Sequence, residues 1–149
     1  MLLTEGVIEA KDLKALWHGA MAQSRQEQLL HCAGNTLSRL HLAGYCHGDA
    51  KWSNWLWSGD DFYLVDLEGV KQVPIGSYRQ LRDLARFVVN AEDLAVSQAS
   101  FDCFMESYLT RDPRSKDNTI RAIMPALMEL RKRHEAKYGM RGHRLIGEK

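Results

Sequence analysis

Three polar side chains stand close together in one short segment, at spacings that suit phosphoryl transfer. Asp49, Lys51 and Asn54 follow a stretch with helical periodicity and precede a short β-prone run. A carboxylate can accept the proton of an attacking hydroxyl, a lysine can offset charge on the moving phosphoryl group, and an amide oxygen can ligate magnesium. These residue types therefore predict a site at which a hydroxyl attacks a phosphate.

Such a site needs a second carboxylate to hold the metal ion against nucleotide phosphates, and Asp66 is the candidate. It comes directly after the apolar run 62–65 and is followed by a Leu-Glu-Gly sequence. A carboxylate at the end of a strand and an amide on a nearby loop supply the hard oxygen ligands that magnesium prefers. We therefore expect Asp66 and Asn54 to be the metal ligands.

The elements around these residues are mostly helical. Apolar residues recur every three or four positions in four stretches, which predicts helices over about 25–43, 81–89, 101–109 and 117–137. The β-prone runs 55–57 and 62–65 flank a Ser-Gly-Asp-Asp turn and predict a hairpin. Pro125 is expected to kink or interrupt the last helix. The pattern predicts an α+β fold, mostly helical, with a short β-hairpin.

Length and composition fit one globular domain over residues 1–149. The chain is 45% hydrophobic and 26% charged, with a formal net charge of +1, and ordinary domains have about 100–150 residues. Its three cysteines form no CxxC pair, which favours a reducing compartment. No apolar run approaches the ~18 residues that span a bilayer, and the amino terminus does not resemble a signal peptide. We expect a cytoplasmic protein without a transmembrane segment.

Two segments resemble the catalytic motifs of protein kinases. Residues 47–54 read His-Gly-Asp-Ala-Lys-Trp-Ser-Asn and resemble the catalytic loop HRDxKxxN, and residues 66–68 resemble the DFG metal segment. Gly48 stands where protein kinases have arginine, as in the HGD sequence of small-molecule and lipopolysaccharide kinases. Control by a phosphorylated activation loop is therefore not expected.

Two further features resemble the lipopolysaccharide kinase family, the Kdo and heptose kinases. Lys51 is similar to the lysine of that family, and residues 82–87 resemble its RDxARF helix. The resemblance implies magnesium and ATP as cofactors and a sugar or lipopolysaccharide-core hydroxyl as acceptor. It implies the following roles: Asp49 as catalytic base, Lys51 as phosphoryl-charge stabiliser, Asn54 and Asp66 as metal ligands, His47 as a packed loop histidine, and Asp83 as a brace beneath the loop.

The resemblance covers the carboxy-terminal lobe of a kinase, approximately residues 2–90, with the segment 1–9 resembling the hinge between lobes. The amino-terminal lobe normally supplies a glycine-rich loop and a strand lysine, and neither is found. Lys11 and Lys14 follow the hinge-like segment and are expected on a helix. The prediction is a Mg-ATP-dependent phosphotransferase truncated of its amino-terminal lobe.

Two alternatives to this enzyme stay open. One is a catalytically inactive kinase-like lobe that acts as an interaction module, and the other is the remnant of a kinase gene truncated at its hinge. A lobe without its partner would also leave apolar surface exposed. Self-association and a separate amino-terminal-lobe partner are therefore further candidates.

The region 115–149 combines the last helix with a basic tail that has two interpretations. Its cations are Arg131, Lys132, Arg133, Lys137, Arg141 and Arg144. They can form a solvated helix face, or they can bind the phosphate-rich inner core of lipopolysaccharide or anionic lipid at the cytosolic leaflet. The second interpretation would place the chain in peripheral contact with the inner face of the membrane.

Neither the histidines nor the tryptophans of this region predict a separate site. His47 could ligate a metal with His41 or His31, but no third ligand stands at a zinc-like spacing. Trp52, Trp55 and Trp57 alternate, which is more typical of core packing than of a platform on which nucleic-acid bases stack. No nucleic-acid partner is expected.

Overall fold

Helices form most of the structure. The computed structural model describes residues 11–17, 21–112, 114–140 and 142–147, so the hinge-like segment 1–9 lies outside the described residues. Within these ranges the helices are α1 (Leu13–Trp17), α2 (Gln23–Leu42), α3 (Tyr78–Asp93), α4 (Gln98–Leu109) and α5 (Lys116–Tyr138). The four longer helices confirm the four predicted stretches and differ from them by a few residues at most of their ends.

Short strands form two small antiparallel sheets in the described part of the chain. The strands are β1 (Lys11–Asp12), β2 (Tyr45–Cys46), β3 (Trp55–Trp57), β4 (Phe62–Leu64) and β5 (Lys71–Gln72). One sheet has the order β1-β3-β4, and the other pairs β2 with β5. The predicted hairpin is β3–β4, closed by a hydrogen bond of 3.2 Å from the Ser58 N–H to the Asp61 carbonyl.

Two local predictions about these strands were wrong. Lys11 lies in β1, opposite Trp57, and not on a helix, because α1 begins only after Asp12, whose carboxylate accepts the Ala15 N–H at 2.9 Å as a helix cap. Strand β4 ends before Val65 because Asn54, the residue opposite it, belongs to a 3₁₀ turn.

The core beneath the hairpin is aromatic. Trp52, Trp55, Phe87 and Phe104 are fully buried, and the rings of Phe87 and Phe104 stack with centroids 4.0 Å apart. Each such side chain buries roughly 150–250 Å², which is worth about 4–6 kcal/mol at ~25 cal/mol per Å². The alternating tryptophans are therefore core residues, as predicted, and they join the hairpin to α3 and α4.

Helices α2 and α4 pack closely because α2 carries a glycine at their contact. A Cβ on Gly34 would lie 2.4 Å from the carbonyl oxygen of Phe104 and would also overlap the Ser107 hydroxyl. Leu29, Leu30 and Leu37 of α2 are fully buried. The close contact joins α2 to α4, and Phe104 of α4 in turn stacks on Phe87, a residue of α3.

Helix α5 tests two expectations drawn from the sequence. It is not interrupted at Pro125, which lies inside one helix and has no N–H to donate to the carbonyl of the exposed residue Arg121. Arg131 is not on a solvated face. It is buried, its Nε donates to Glu92 Oε1 at 3.0 Å, and its Nη2 donates to the Ile146 carbonyl at 2.7 Å. A buried arginine needs such a carboxylate partner.

Candidate active site

The polar loop between β2 and β3 is anchored by two buried tryptophans. The indole N–H of Trp52 donates to the Phe87 carbonyl, and that of Trp55 donates to the Ala50 carbonyl, each at 3.2 Å. The backbone N–H of Trp52 donates to Asn90 Oδ1 at 2.8 Å. The two bonds of Trp52 attach the loop to α3, which carries Phe87 and Asn90, and the bond of Trp55 joins the two ends of the loop.

Asp83 of α3 lies directly beneath the loop. Its Oδ2 accepts the His47 N–H at 2.7 Å, and its Oδ1 accepts the Gly48 N–H at 2.9 Å. The same Oδ2 lies 3.0 Å from His41 Nε2, and His41 Nδ1 lies 2.6 Å from the Tyr108 hydroxyl. The carboxylate is buried and has a donor on both oxygens. These are the contacts that a brace beneath the loop requires.

Sequence reasoning assigned no site role to three residues that support the loop or the brace beneath it. Tyr108 reaches the brace through His41, and burial raises the pKa of the Tyr108 hydroxyl. Gln80 donates to the carbonyl of His41 at 2.8 Å. Asn90 lies seven residues after Asp83, two helical turns along the same face of α3, and that spacing is a signal that could have revealed it.

His47 joins the loop to the end of β4. It is fully buried, its Nδ1 accepts the Asp49 backbone N–H at 3.1 Å, and its Nε2 lies 2.8 Å from the Val65 carbonyl. Because Nδ1 accepts a hydrogen bond, the ring proton is on Nε2 and is donated to Val65. The contacts are those of a packed loop histidine. Within the described residues, no group of three or more His, Cys, Asp or Glu is arranged to hold a metal ion.

Two glycines allow the loop and the segment after Asp66 to touch. Gly48 has φ +93°, and a Cβ there would lie 2.7 Å from the Gly69 carbonyl oxygen. A Cβ on Gly69 would in turn lie 3.0 Å from the His47 carbonyl oxygen. The arginine that protein kinases have at the position of Gly48 would not fit this backbone without movement.

Asp49 and Lys51 meet at the surface of the loop. Lys51 Nζ lies 3.4 Å from Asp49 Oδ2, and the two side chains are 47% and 39% exposed. An ion pair this exposed contributes little to stability. Both groups are therefore accessible to a ligand, and their catalytic roles stay predictions.

Asn54 and Asp66 lie near each other along the chain's hairpin, because Val65, the residue before Asp66, pairs with Asn54. The amide Nδ2 of Asn54 donates to the Asp49 carbonyl at 2.8 Å, and the Asn54 carbonyl accepts the Val65 N–H at 3.0 Å, one residue before Asp66. Asp66 is exposed, and it has the left-handed backbone conformation, with φ 59°. Strain of this kind often occurs at functional sites. The free oxygens of an amide and a carboxylate fit magnesium, which takes one or two protein ligands together with phosphates and water.

A cleft of about 510 Å³ opens beside Asp49 and Lys51. Helix α1 contributes Lys14, α3 contributes Arg86, and α5 contributes Arg133. Its other lining residues are Ser53, Asn90, Asp93, Leu94, Leu130, His134, Lys137 and Tyr138. The sequence did not predict this cleft, because its walls come from three separate helices.

Comparison with known proteins places this geometry in a family. A family model described as "Lipopolysaccharide kinase (Kdo/WaaP) family" matches residues 1–108. The chain belongs to this family. The resemblance inferred from the loop, the metal segment and the helix that follows them is thereby confirmed.

The fold of this lipopolysaccharide kinase family member is also that of a solved relative. A structure of WaaP in complex with acyl carrier protein matches 89% of this chain with a TM-score of 0.67 and 19% sequence identity. At that identity the likeness establishes the fold, and the mostly helical α+β prediction is confirmed. The chain spans 59% of the length of that WaaP chain.

A curated protein shows a shorter local likeness to this family member. It is the "Probable bifunctional tRNA threonylcarbamoyladenosine biosynthesis protein" of Methanocorpusculum labreanum (strain ATCC 43576 / DSM 4855 / Z), which is 43% identical over 47 residues. The match covers 32% of this chain and 9% of that protein. Among the described residues, no helix is both long and apolar enough to cross a bilayer.

Proposed function

We propose that this chain carries the catalytic and metal-binding residues of a Mg-ATP-dependent kinase that phosphorylates a hydroxyl of a lipopolysaccharide core sugar. The observation that carries the proposal is the pairing of Asp49 and Lys51, 3.4 Å apart and exposed, on a loop that Asp83 holds from beneath. Membership of the lipopolysaccharide kinase family supports the kinase chemistry. The proposal treats residues 1–149 as one kinase-like unit working in the cytoplasm, at the inner face of the membrane.

Each polar residue then has one task. Asp49 accepts the proton of the sugar hydroxyl while its oxygen attacks the γ-phosphorus, and the bond from that phosphorus to the bridging oxygen of ADP breaks. Lys51 offsets the charge on the transferred oxygens. Asn54 and Asp66 would hold a magnesium ion, which supplies positive charge at the nucleotide phosphates. The proposal assigns no residue of this sequence to a glycine-rich loop over the nucleotide.

The test supplies the lobe that covers the nucleotide. The amino-terminal lobe of a Kdo/WaaP family kinase is fused ahead of Met1, and ADP release is measured with a lipopolysaccharide-core acceptor at saturating magnesium. We expect phosphotransfer by the chimera, a loss of about 10²–10⁴-fold for Asp49→Ala through lost proton acceptance, and no measurable activity for Asp66→Asn.

Asp60→Asn is the matched control for Asp66→Asn, because Asp60 is an exposed acid in the turn of the hairpin that precedes Asp66. It should retain the activity of the parent chimera. A folded chimera whose Asp49→Ala and Asp66→Asn forms turn over as fast as the parent would refute the proposed roles. That outcome would favour the interaction module, and acyl carrier protein, the partner of WaaP in the solved complex, would then be the first partner to test.

A further inference from the structure

The cleft beside Asp49 has a composition that points to the acceptor. Asp49 and Lys51 line it, whereas Asn54 and Asp66, the candidate metal ligands, do not. The candidate base and the candidate charge-stabilising lysine therefore line the cleft, and the candidate metal ligands lie outside it. Because the phosphoryl donor belongs with the metal, the cleft is the place for the group that carries the attacking hydroxyl.

The described lining residues of this cleft are strongly basic. Five of them are lysine or arginine, and two are carboxylates. The cations come from α1, the loop, α3 and α5, so they surround the space instead of lying along one helix. A concave site lined by one sign of charge concentrates ligands of the opposite sign.

Arg86 is the cation most clearly built for a ligand. It is half-buried, and no hydrogen bond or ion pair joins its guanidinium to any described residue. Burial lowers the pKa of Arg86, the nearby charge of Asp49 acts in the opposite sense, and Arg82 and Arg133 lower it further by repulsion. A guanidinium has five N–H donors, and leaving them unpaired inside a protein is costly.

Two other partly or fully buried arginines among the described residues are each paired with a carboxylate of the fold. Arg131 is paired with Glu92 at 3.0 Å, and Arg114 is paired with Asp112 at 2.7 Å. Arg86 differs because its partner would have to enter from the cleft. A planar guanidinium recognises a phosphate or a carboxylate with two parallel hydrogen bonds.

We infer that Arg86 anchors an anionic group of the acceptor, a phosphate or a carboxylate, in this cleft while the acceptor's hydroxyl lies at Asp49. The inference rests on the proposed function and assigns to Arg86 the recognition of the acceptor's anionic group. Arg133 is 66% exposed and bonded to Glu129 at 2.9 Å, and Lys14 is exposed. These two cations add to the field, and Arg86 provides the directional contact.

The geometry favours a saccharide over a membrane surface. The three consecutive cations of α5 lie in different surroundings. Arg131 is buried, Lys132 lies outside the cleft, and Arg133 lines the cleft. A flat array of cations for lipid headgroups would need all three to face one way. The cleft is instead concave and includes Asp49.

The test measures direct binding to the 149-residue chain in the absence of nucleotide. Isothermal titration calorimetry or NMR titration is used with three probes: glucose 6-phosphate, glucuronate and glucose. We expect both anionic sugars to bind more tightly than glucose. Arg86→Gln should weaken glucose 6-phosphate binding about 10–100-fold, the value of a charge-assisted hydrogen bond. Arg86→Lys, which keeps the charge and loses the fork, should fall between.

Arg121→Gln is the matched control, because Arg121 is an exposed arginine of α5 that lines a different cleft; its affinity should equal that of the parent. If Arg86→Gln does not fold, the double variant Lys14→Gln, Arg133→Gln replaces it and should weaken binding of the anionic sugars. Equal affinity for glucose and glucose 6-phosphate would overturn the inference. So would Arg86-dependent binding to phosphatidylglycerol vesicles without binding of either anionic sugar.

Failure of the Arg86 inference and failure of the proposed kinase function give different results in the binding and activity measurements. If the anionic sugars do not bind but the chimera loses activity on Asp49→Ala, only the anionic subsite is wrong. If they bind through Arg86 but the chimera is indifferent to Asp49→Ala and Asp66→Asn, the cleft is an anion site and the kinase roles are wrong.

Discussion

Gly48 combines a close contact with Gly69 and a backbone conformation that favours glycine. Comparing alanine variants of Gly48 and Gly59 should separate the effects of these two features on stability. Gly48 has φ +93°, and a Cβ there would lie 2.7 Å from the Gly69 carbonyl oxygen. Gly59, in the turn of the hairpin, has φ +99° and nothing within 4 Å of the same Cβ position. The two glycines thus share a conformation and differ in their surroundings.

The expected losses of folding stability follow from the backbone conformation and from the surroundings of each glycine. A side chain in the left-handed region costs about 1–2 kcal/mol, which both variants incur. Overpacking against a fixed backbone atom adds about 1–3 kcal/mol, which only Gly48→Ala incurs. Entropy lost from the unfolded chain offsets about 0.4–1 kcal/mol in both and cancels in their difference. Gly48→Ala should therefore be less stable than Gly59→Ala by about 1–3 kcal/mol.

Urea unfolding followed by circular dichroism measures the difference in the free energy of unfolding. Gly48→Ala should also reduce the activity of the chimera, because Gly48 lies between His47 and Asp49 and any relief of the overlap moves the loop. Gly59→Ala should leave that activity intact. Equal stability losses for the two variants would show that the close approach of Gly48 to Gly69 does not exist in solution.

Two further substitutions test the support of the loop and its pH dependence. Asp83→Ala should destabilise the fold by about 3–5 kcal/mol in urea unfolding, because the N–H groups of His47 and Gly48 lose their buried acceptor; a loss below 1 kcal/mol would contradict the brace. The hydrogen bond from Arg114 holds the pKa of Asp112 below its usual value, so this stabilisation is present above about pH 4 and is lost as the pH falls. Asp112→Asn should flatten the acid limb of stability against pH, and an unchanged limb would exclude this pair as its source.

Local order along the chain made much of the candidate site predictable. Asp49, Lys51 and Asn54 lie within six residues, so any fold keeps them together. Asp66 follows the second strand of a hairpin that the Ser-Gly-Asp-Asp turn predicts. Pairing in this hairpin brings Asp66 close to Asn54, since the Val65 N–H bonds to the Asn54 carbonyl. Their catalytic and metal-binding roles stay predictions.

The support beneath the loop was only half predictable. Asp83 was expected there from the resemblance of its helix to that of lipopolysaccharide kinases, and its two bonds to the loop backbone match that role. His41 and Tyr108 were not, because they join the network across 42 and 67 residues of sequence separation. A buried hydrogen bond between distant residues leaves no periodic trace in the sequence.

The cleft beside Asp49 and Lys51 was decided by tertiary structure alone. Hydrophobic periodicity shows which face of a helix is buried, but it does not show which other helix covers that face. Arg131 and Arg133 stand two positions apart in the sequence, and packing of α5 against α3 buries the first with Glu92 and turns the second toward Arg86 and Asp49. The sequence determined the chemistry of the loop, and the packing of three helices determined what can reach it.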